Sequence, residues 1–398
     1  MLKFLAWQFG PAVFGELTQI MGVAAIFYMF AGGGISNGLI RNLSAATSDT
    51  ERQSWLSAAV TINIFSSILL ATIALALALF GGGAVLGDPA YRFCYVAIAF
   101  AQIFVGMGNL VSAYLSGLGR SLTYATVHIV ANLLSLFLLV ALTLKAGFTG
   151  AVLGVTIGPA AVGLVAMWAF YRSSEPRFAL QTGWAWPRLR NLMSFGFVAA
   201  FAVTAVPLAQ LIIRRDMGIH FGWDTVGYWQ AVSKLSDACM LFIGVVFINF
   251  LLPRLSRQHD SDIAIRTLVR FGAVLLPACM LGGAIIYFAR DLVIPLVYSQ
   301  QFQPASDLML PQIVGDMLKI AVLLLHYYFM SRGRVAIVLL SEVMQGSLLY
   351  GFYRVLISNG ALAPVYSHVL TYSSMLILML GILYKTWDNK ADVPCLSG

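Results

Sequence analysis

Runs of about 20 apolar residues, long enough to cross a hydrocarbon core as helices, alternate with short polar stretches along the whole chain. They predict spans at Phe14 to Ile40, Trp55 to Phe80, Tyr91 to Leu115, Leu122 to Leu144, Thr149 to Tyr171 and Leu192 to Ile213. The pattern continues with Val226 to Leu252, Thr267 to Phe288, Leu308 to Met330, Val335 to Leu356 and Ala361 to Tyr384, eleven runs in all. The longest connector, Arg172 to Asn191, is roughly 20 residues, so no independent soluble domain fits between spans.

Composition agrees: 60% of the 398 residues are hydrophobic and 10% are charged, where a soluble chain is about a quarter charged. The net charge of +8 is topological. With alternating spans, fourteen of the 24 basic residues fall on one side: Arg41, Arg52, Arg120, Arg172, Arg177, Arg188, Arg190, Arg254, Arg257, Arg266, Arg332, Arg334, Lys385 and Lys390. The positive-inside rule makes that side cytoplasmic, and the C-terminus with it. A nucleic-acid surface would need aromatic interleaving or a binding fold, and neither is present. The start lacks signal-peptide grammar, so insertion is expected to use the spans themselves. Cys94, Cys239, Cys279 and Cys395 are scattered without metal-ligand spacing and read as small buried hydrophobes. No metal site or cofactor is expected.

The two halves of the chain echo each other. FGPAVFGE at Phe9 to Glu16 returns as FGWDTVGY at Phe221 to Tyr228; Leu43-Ser44 returns as Leu255-Ser256, Gly119-Arg120 as Gly333-Arg334, and Gly150-Ala151 as Gly360-Ala361. The second half holds six spans and the first five, with MLKFLAWQ as the tail of an opening helix. The expected organisation is therefore an N-terminal lobe, residues 1–186, and a C-terminal lobe, residues 187–398. Equivalent segments run in the same direction, as in parallel repeats that enclose a central cavity.

Charges inside spans are costly, roughly 2.5–3.5 kcal/mol each near the middle of a helix, and mark functional faces. On the ninth span Gln312, Asp316, Lys319, Leu323, His326 and Met330 share an arc of about 80°. The seventh span reads Gln230, Lys234 and Asp237, the same spacing with the charges exchanged. Matching positions in the first half are Gln102, Gly106 and Asn109, so the charges belong to the second lobe. Two expectations follow: Lys234 reaches Asp316, and Lys319 reaches Asp237 or Glu342. Such pairs either fix helix register or handle a charged passenger or coupling ion.

Other ionisable residues sort by depth. Arg270 lies near a cytoplasmic helix end, within snorkelling reach. Arg214 and Arg215, at an outer end, suit either an interfacial anchor or a diphosphate at a cavity mouth. Glu16 lies near the outer rim, where solvation competes with a proton site. His128 and His326 read as packed or hydrogen-bonded. AGGGISNG around Gly33 lacks a dinucleotide-site setting and is expected to serve close packing within a span. Asp260-Ser261-Asp262 and the capping box at Ser48 to Glu51 read as helix starts.

The strings W-D-x-V-G-x-W-Q at Trp223 to Gln230, S-D-A at Ser236 to Ala238, L-L-P-x-L-S at Leu251 to Ser256, Q-x-V-G-D-x-L-K at Gln312 to Lys319 and A-L-A near Ala361 resemble those of the Wzx flippases. The similarity is greatest to their enterobacterial common antigen branch. It implies an all-α polytopic membrane protein of the multidrug/oligosaccharidyl-lipid/polysaccharide exporter superfamily, with two six-helix lobes in a V, here with the first helix largely missing. It implies residence in the bacterial inner membrane and an undecaprenyl diphosphate-linked oligosaccharide as passenger. A polysaccharide polymerase and a chain-length regulator would be partners. On this reading Lys234, Lys319, Arg270, Arg214, Arg215, Gln230, Gln312, Asp237 and Asp316 are candidates for substrate contact. Glu342, Asp237, Asp316, Glu16 and His326 are candidates for proton coupling, and none is a catalyst. The alternatives are a multidrug exporter of the same superfamily and a polytopic glycosyltransferase, polymerase or ligase, the last needing an outer catalytic loop.

Overall fold

The computed structural model describes residues 1–81, 83–86, 89–172, 180–258 and 260–391; Arg177 and Cys395 lie outside them. Every regular element among the described residues is helical. The order is α1 (Leu2–Phe30), α2 (Ser36–Ala45), α3 (Asp49–Phe80), α4 (Gly83–Leu86), α5 (Phe93–Gly117), α6 (Ser121–Ile157), α7 (Ala161–Arg172) and α8 (Trp186–Phe221). There follow α9 (Trp223–Val246), a π-turn at Phe247–Leu251, α10 (Leu252–Ser256), α11 (Ser261–Phe288), α12 (Arg290–Val297), α13 (Met309–Ser331), α14 (Val335–Leu356) and α15 (Ala363–Ala391). Among the described residues eight segments are long and apolar enough to cross a membrane, and two of them, Ser121–Arg172 and Val335–Lys385, are 52 and 51 residues long, enough to cross twice. With α8 these account for the eleven spans of the sequence pattern.

Side-chain burial is inverted relative to a water-soluble protein. Phe80, Phe242, Leu79 and Phe288 are at least 74% exposed while Gln19, Gln102 and Thr156 are fully buried. A surface of this kind is stable only against lipid, and the chain is a multi-pass membrane protein.

Local chemistry sets where helices start, bend and stop. Ser48 Oγ accepts the Glu51 amide at 3.2 Å and Glu51 Oε2 accepts the Thr47 amide at 3.3 Å, so α3 is capped from both sides. Asp260 Oδ1 accepts the Asp262 amide at 2.7 Å and starts α11. Pro253 has no N–H to give the carbonyl four residues back and its ring crowds that turn; the π-turn at Phe247–Leu251 directly precedes it. The expected first span is displaced. Its helix lies in α1, which is broken at Gly10 (φ +75°), so the span runs from Pro11 to Phe30, where Gly32, Gly33 and Gly34, with φ of +84°, +71° and +65°, end it. AGGG is thus a left-handed turn at the end of a span and not a stretch within it, but the close packing expected of it is present. Its tightness is used, since a Cβ on Gly34 would lie 3.2 Å from the Gly196 carbonyl oxygen.

The chain divides into two compact units, Glu16–Leu211 and Leu2–Gly15 with Ile212–Gly398. The first centres on Leu39, Leu56, Val111, Leu115 and Leu192, the second on Phe247, Leu251, Ile320, Phe329 and Met375. The repeat is written in the backbone of the two sequence halves. Gly10 and Gly222 have φ of +75° and +84°, Gly119 and Gly333 +71° and +69°, and Gly147 and Gly360 +56° and +58°. Gly360 therefore matches Gly147, which breaks α6 into two spans, and not Gly150. One interhelical hydrogen bond also recurs with its residue types exchanged: Ser112 Oγ with His128 Nε2 at 3.1 Å, and Ser341 Oγ with His326 Nε2 at 2.8 Å. Ser112 and His326 are 214 positions apart, His128 and Ser341 213. At that offset the counterpart of Asp316 is Gln102.

Candidate functional site

Helix α13 carries the centre of the site. Gly315 allows α15 to approach: a Cβ there would collide with the imidazole of His368. That approach brings His368 Nε2 within 3.0 Å of Asp316 Oδ1. Gln312, one turn earlier on α13, donates to the same oxygen at 3.1 Å, and Ser236 of α9 donates to Oδ2 at 2.6 Å. Asp316 is 6% exposed, and partners from three helices meet its desolvation cost. Gln312, Asp316 and Ser236 also line one wall of a cavity of about 290 Å³, otherwise mostly apolar, with Cys239, Cys279 and Met317 among its other walls.

The expected ionic pairings are rearranged. Lys234 Nζ meets Asp237 Oδ2 on its own helix at 2.9 Å, and Asp316 is held by Ser236, Gln312 and His368 instead. The reason is spacing: Lys234 and Asp237 are three apart on α9 and face each other without help from tertiary structure. Among the described residues Lys319 has no carboxylate within salt-bridge distance; its ammonium faces the Tyr372 ring of α15, 5.8 Å from the centroid, a cation–π placement. Glu342 approaches His326, with Oε1 at 3.8 Å from Nδ1, while the other ring nitrogen of that histidine bonds Ser341.

Arg214 and Arg215 diverge, because neighbours on a helix point about 100° apart. Arg214 is 5% exposed and donates to Gln230 Oε1 at 3.3 Å, whereas Arg215 is exposed. They do not form a paired guanidinium mouth. Glu16, in the other unit, accepts from the Tyr91 hydroxyl at 2.7 Å and is not simply solvated. Arg270 is exposed and lines a separate cavity with Arg254. Three participants were not foreseen: His368, Tyr372 and Asp216. The last accepts from the Tyr353 hydroxyl at 2.8 Å and lies 3.7 Å from the Arg354 guanidinium and 3.5 Å from His220 Nδ1. The only sequence signal for His368 was a histidine within an apolar run.

The multi-pass helical bundle with buried polar clusters in its spans has the fold of solved membrane transport proteins. An inward-facing multidrug resistance MATE family transporter of the MOP superfamily aligns at TM-score 0.80, covering 96% of this chain and 93% of that one, with 12% identity. The lipid II flippase MurJ, in an inward closed conformation, aligns at 0.75 over 96% of this chain and 84% of that one, with 11% identity. Residues 3–259 match the polysaccharide biosynthesis protein family, and the chain belongs to that family. The lipid III flippases of Escherichia coli (strain K12) and Shigella flexneri are each 29% identical over 394 residues, 98% of this chain and 94% of theirs.

Proposed function

We propose that this chain is a flippase that carries an undecaprenyl diphosphate-linked oligosaccharide, of the lipid III kind, from the cytoplasmic to the periplasmic leaflet of a bacterial inner membrane. The observation that carries the reading is the 29% identity to lipid III flippases sustained over 98% of the chain. Two lobes, residues 1–186 and 187–398, would rock about a central cavity in alternating access, with the basic face and the C-terminus cytoplasmic. No bond is made or broken, so the polar residues bind and couple.

In this scheme Lys234, Lys319, Arg270, Arg214 and Arg215 attract the diphosphate or acidic sugars, Gln230 and Gln312 contact sugar hydroxyls, and Asp237, Asp316, Glu342, Glu16 and His326 are the proton-coupling candidates. Asp316 has the strongest claim among them, because it shares a hydrogen bond with a second titratable group, His368, across two helices. The polysaccharide polymerase and chain-length regulator would receive the flipped lipid. The test is transport by purified protein in vesicles loaded with labelled lipid-linked oligosaccharide. Appearance of the sugar on the far face without new glycosidic bonds supports the reading. Export of cationic drugs instead, or chain growth, overturns it.

A further inference from the structure

Arg254 and Arg270 converge on a second cavity, of about 500 Å³, whose remaining lining is Thr267, Phe271, Val274, Leu275 and Ala278. Thr267, Phe271, Val274 and Ala278 fall at i, i+4, i+7 and i+11, a single stripe down α11. The stripe is polar where Arg254 and Arg270 flank it and apolar beyond. It covers roughly 16 Å of helix, about half the hydrocarbon thickness. The π-turn matters here. An added residue rotates everything after it by about 100°, so the turn preceding Pro253 sets which way Arg254 points.

Neither arginine has a hydrogen-bond or ion-pair partner among the described residues, and both are exposed. Arg270 is nine residues into a 28-residue helix but only three residues, about 5 Å, past Thr267, where the apolar run begins, so its head reaches the polar boundary of the span. A guanidinium there, with no protein partner among the described residues, is free to meet a phosphate at the boundary of the span. The cations of the other cluster are differently placed. Lys234 is already paired with Asp237 and Lys319 lies one turn from Asp316, so an incoming anion there meets carboxylates. The arginine groove sets two cations that have no carboxylate partner among the described residues beside a track for a chain.

We propose that the Arg254–Arg270 groove docks a polyprenyl diphosphate lipid on the basic side of the membrane, its phosphates on the two guanidiniums and its first isoprene units along Phe271, Val274 and Ala278. This deepens the flippase reading and rests on it for the identity of the lipid. Two guanidiniums offer two bidentate forks, one for each phosphate. That arithmetic favours a diphosphate over the single phosphate of an ordinary glycerophospholipid.

The test uses full-length protein in nanodiscs with tritiated undecaprenyl diphosphate. Arg254→Ala with Arg270→Ala should weaken its capture by about tenfold per arginine, Arg254→Lys with Arg270→Lys by less, and undecaprenyl monophosphate should bind more weakly than the diphosphate. A photoreactive side chain at Val274 should label the polyprenyl chain and lose that label in the double alanine variant. If the alanine pair does not fold, Val274→Trp, which fills the track, should weaken capture with both arginines intact. Undiminished binding in either folded variant overturns the proposal, as does equal displacement by phosphatidylglycerol at matched concentration. Vesicle transport by the unaltered chain separates the two ideas: no transport sinks the flippase reading, while transport with undiminished binding by the variants sinks only the groove.

Discussion

Removing the Asp316 carboxylate should destabilise the second unit in a way that identifies its partners. The side chain is 6% exposed and accepts hydrogen bonds at 2.6, 3.0 and 3.1 Å from Ser236, His368 and Gln312. In a soluble protein, hydrogen bonds to a charged group contribute roughly 1.5–3 kcal/mol each. In a bilayer the unfolded reference still finds polar partners, and interhelical hydrogen bonds average nearer 0.6 kcal/mol. Three bonds at the membrane average of about 0.6 up to its maximum of about 1.7 kcal/mol each put Asp316→Ala at about 2–5 kcal/mol. Asp316→Asn should cost about 1 kcal/mol, because Oδ1 still accepts from His368 and Gln312 while the new amide donates to the Ser236 hydroxyl, which can rotate to accept. The assay is reversible unfolding in mixed micelles for Asp316→Ala, His368→Ala and the double variant. A shared hydrogen bond predicts a coupling of at least about 0.5 kcal/mol. Strict additivity, or an alanine variant as stable as the unaltered protein, would refute the hub. Transport separates fold from charge: if Asp316→Asn folds and still moves lipid at the normal rate, the carboxylate has no coupling role.

Gly315→Ala should cost about 1–3 kcal/mol by forcing His368 and α15 outward, and spectroscopically it should mimic loss of His368; unchanged unfolding would contradict the close approach. Gly360→Ala tests backbone conformation alone, since nothing lies within 4 Å of its Cβ position while φ is +58°; a loss of about 1–3 kcal/mol is expected in the same unfolding assay. Lys234→Ala should change stability by less than about 1 kcal/mol, because its ion pair with Asp237 is surface-like, at 32% and 51% side-chain exposure. A large transport defect in that variant would then report on the passenger and not on the fold. Tyr91→Phe should cost about 1 kcal/mol by removing the donor to Glu16, measurable as earlier unfolding of the first unit; no change would return Glu16 to the solvated role.

The spans were legible because lipid imposes one rule on all of them: backbone polar groups are satisfied within the helix and the outer face is apolar. What the pattern misplaced was the first boundary, where hydropathy runs on through Ala31 and into α2. Three consecutive glycines with positive φ cut that run, and a hydropathy window treats them as mildly apolar residues. Segmentation at Gly147 was visible only as the gap between Leu144 and Thr149, although that glycine is the true partner of Gly360.

The site was half legible for the opposite reason. Residues three or four apart on one helix can be read together, so Gln312, Asp316 and Lys319 were assembled correctly as a face. Pairings across helices depend on rotation, and there the opposite-charge rule misled. Lys234 satisfied itself locally with Asp237, and Asp316 took neutral or titratable partners from α9 and α15. The exchanged Ser–His pairs show how far this goes. Ser112 with His128 and His326 with Ser341 make the same contact from opposite helices, so residue-by-residue comparison of the halves finds mismatches where the geometry is kept. Gln102 and Asp316 form a similar pair. Both are buried in one interhelical layer of their unit, but Gln102 donates to the Ser67 and Ala99 carbonyls at 2.8 and 3.3 Å where Asp316 gathers donors. The neutral amide's Nε2 bonds backbone while its Oε1 is buried without a partner among the described residues; the carboxylate gathers Ser236, Gln312 and His368. A buried titratable centre thus occupies a position whose counterpart needs no charge to fold, and maintaining it only in the second unit is costly unless transport uses it.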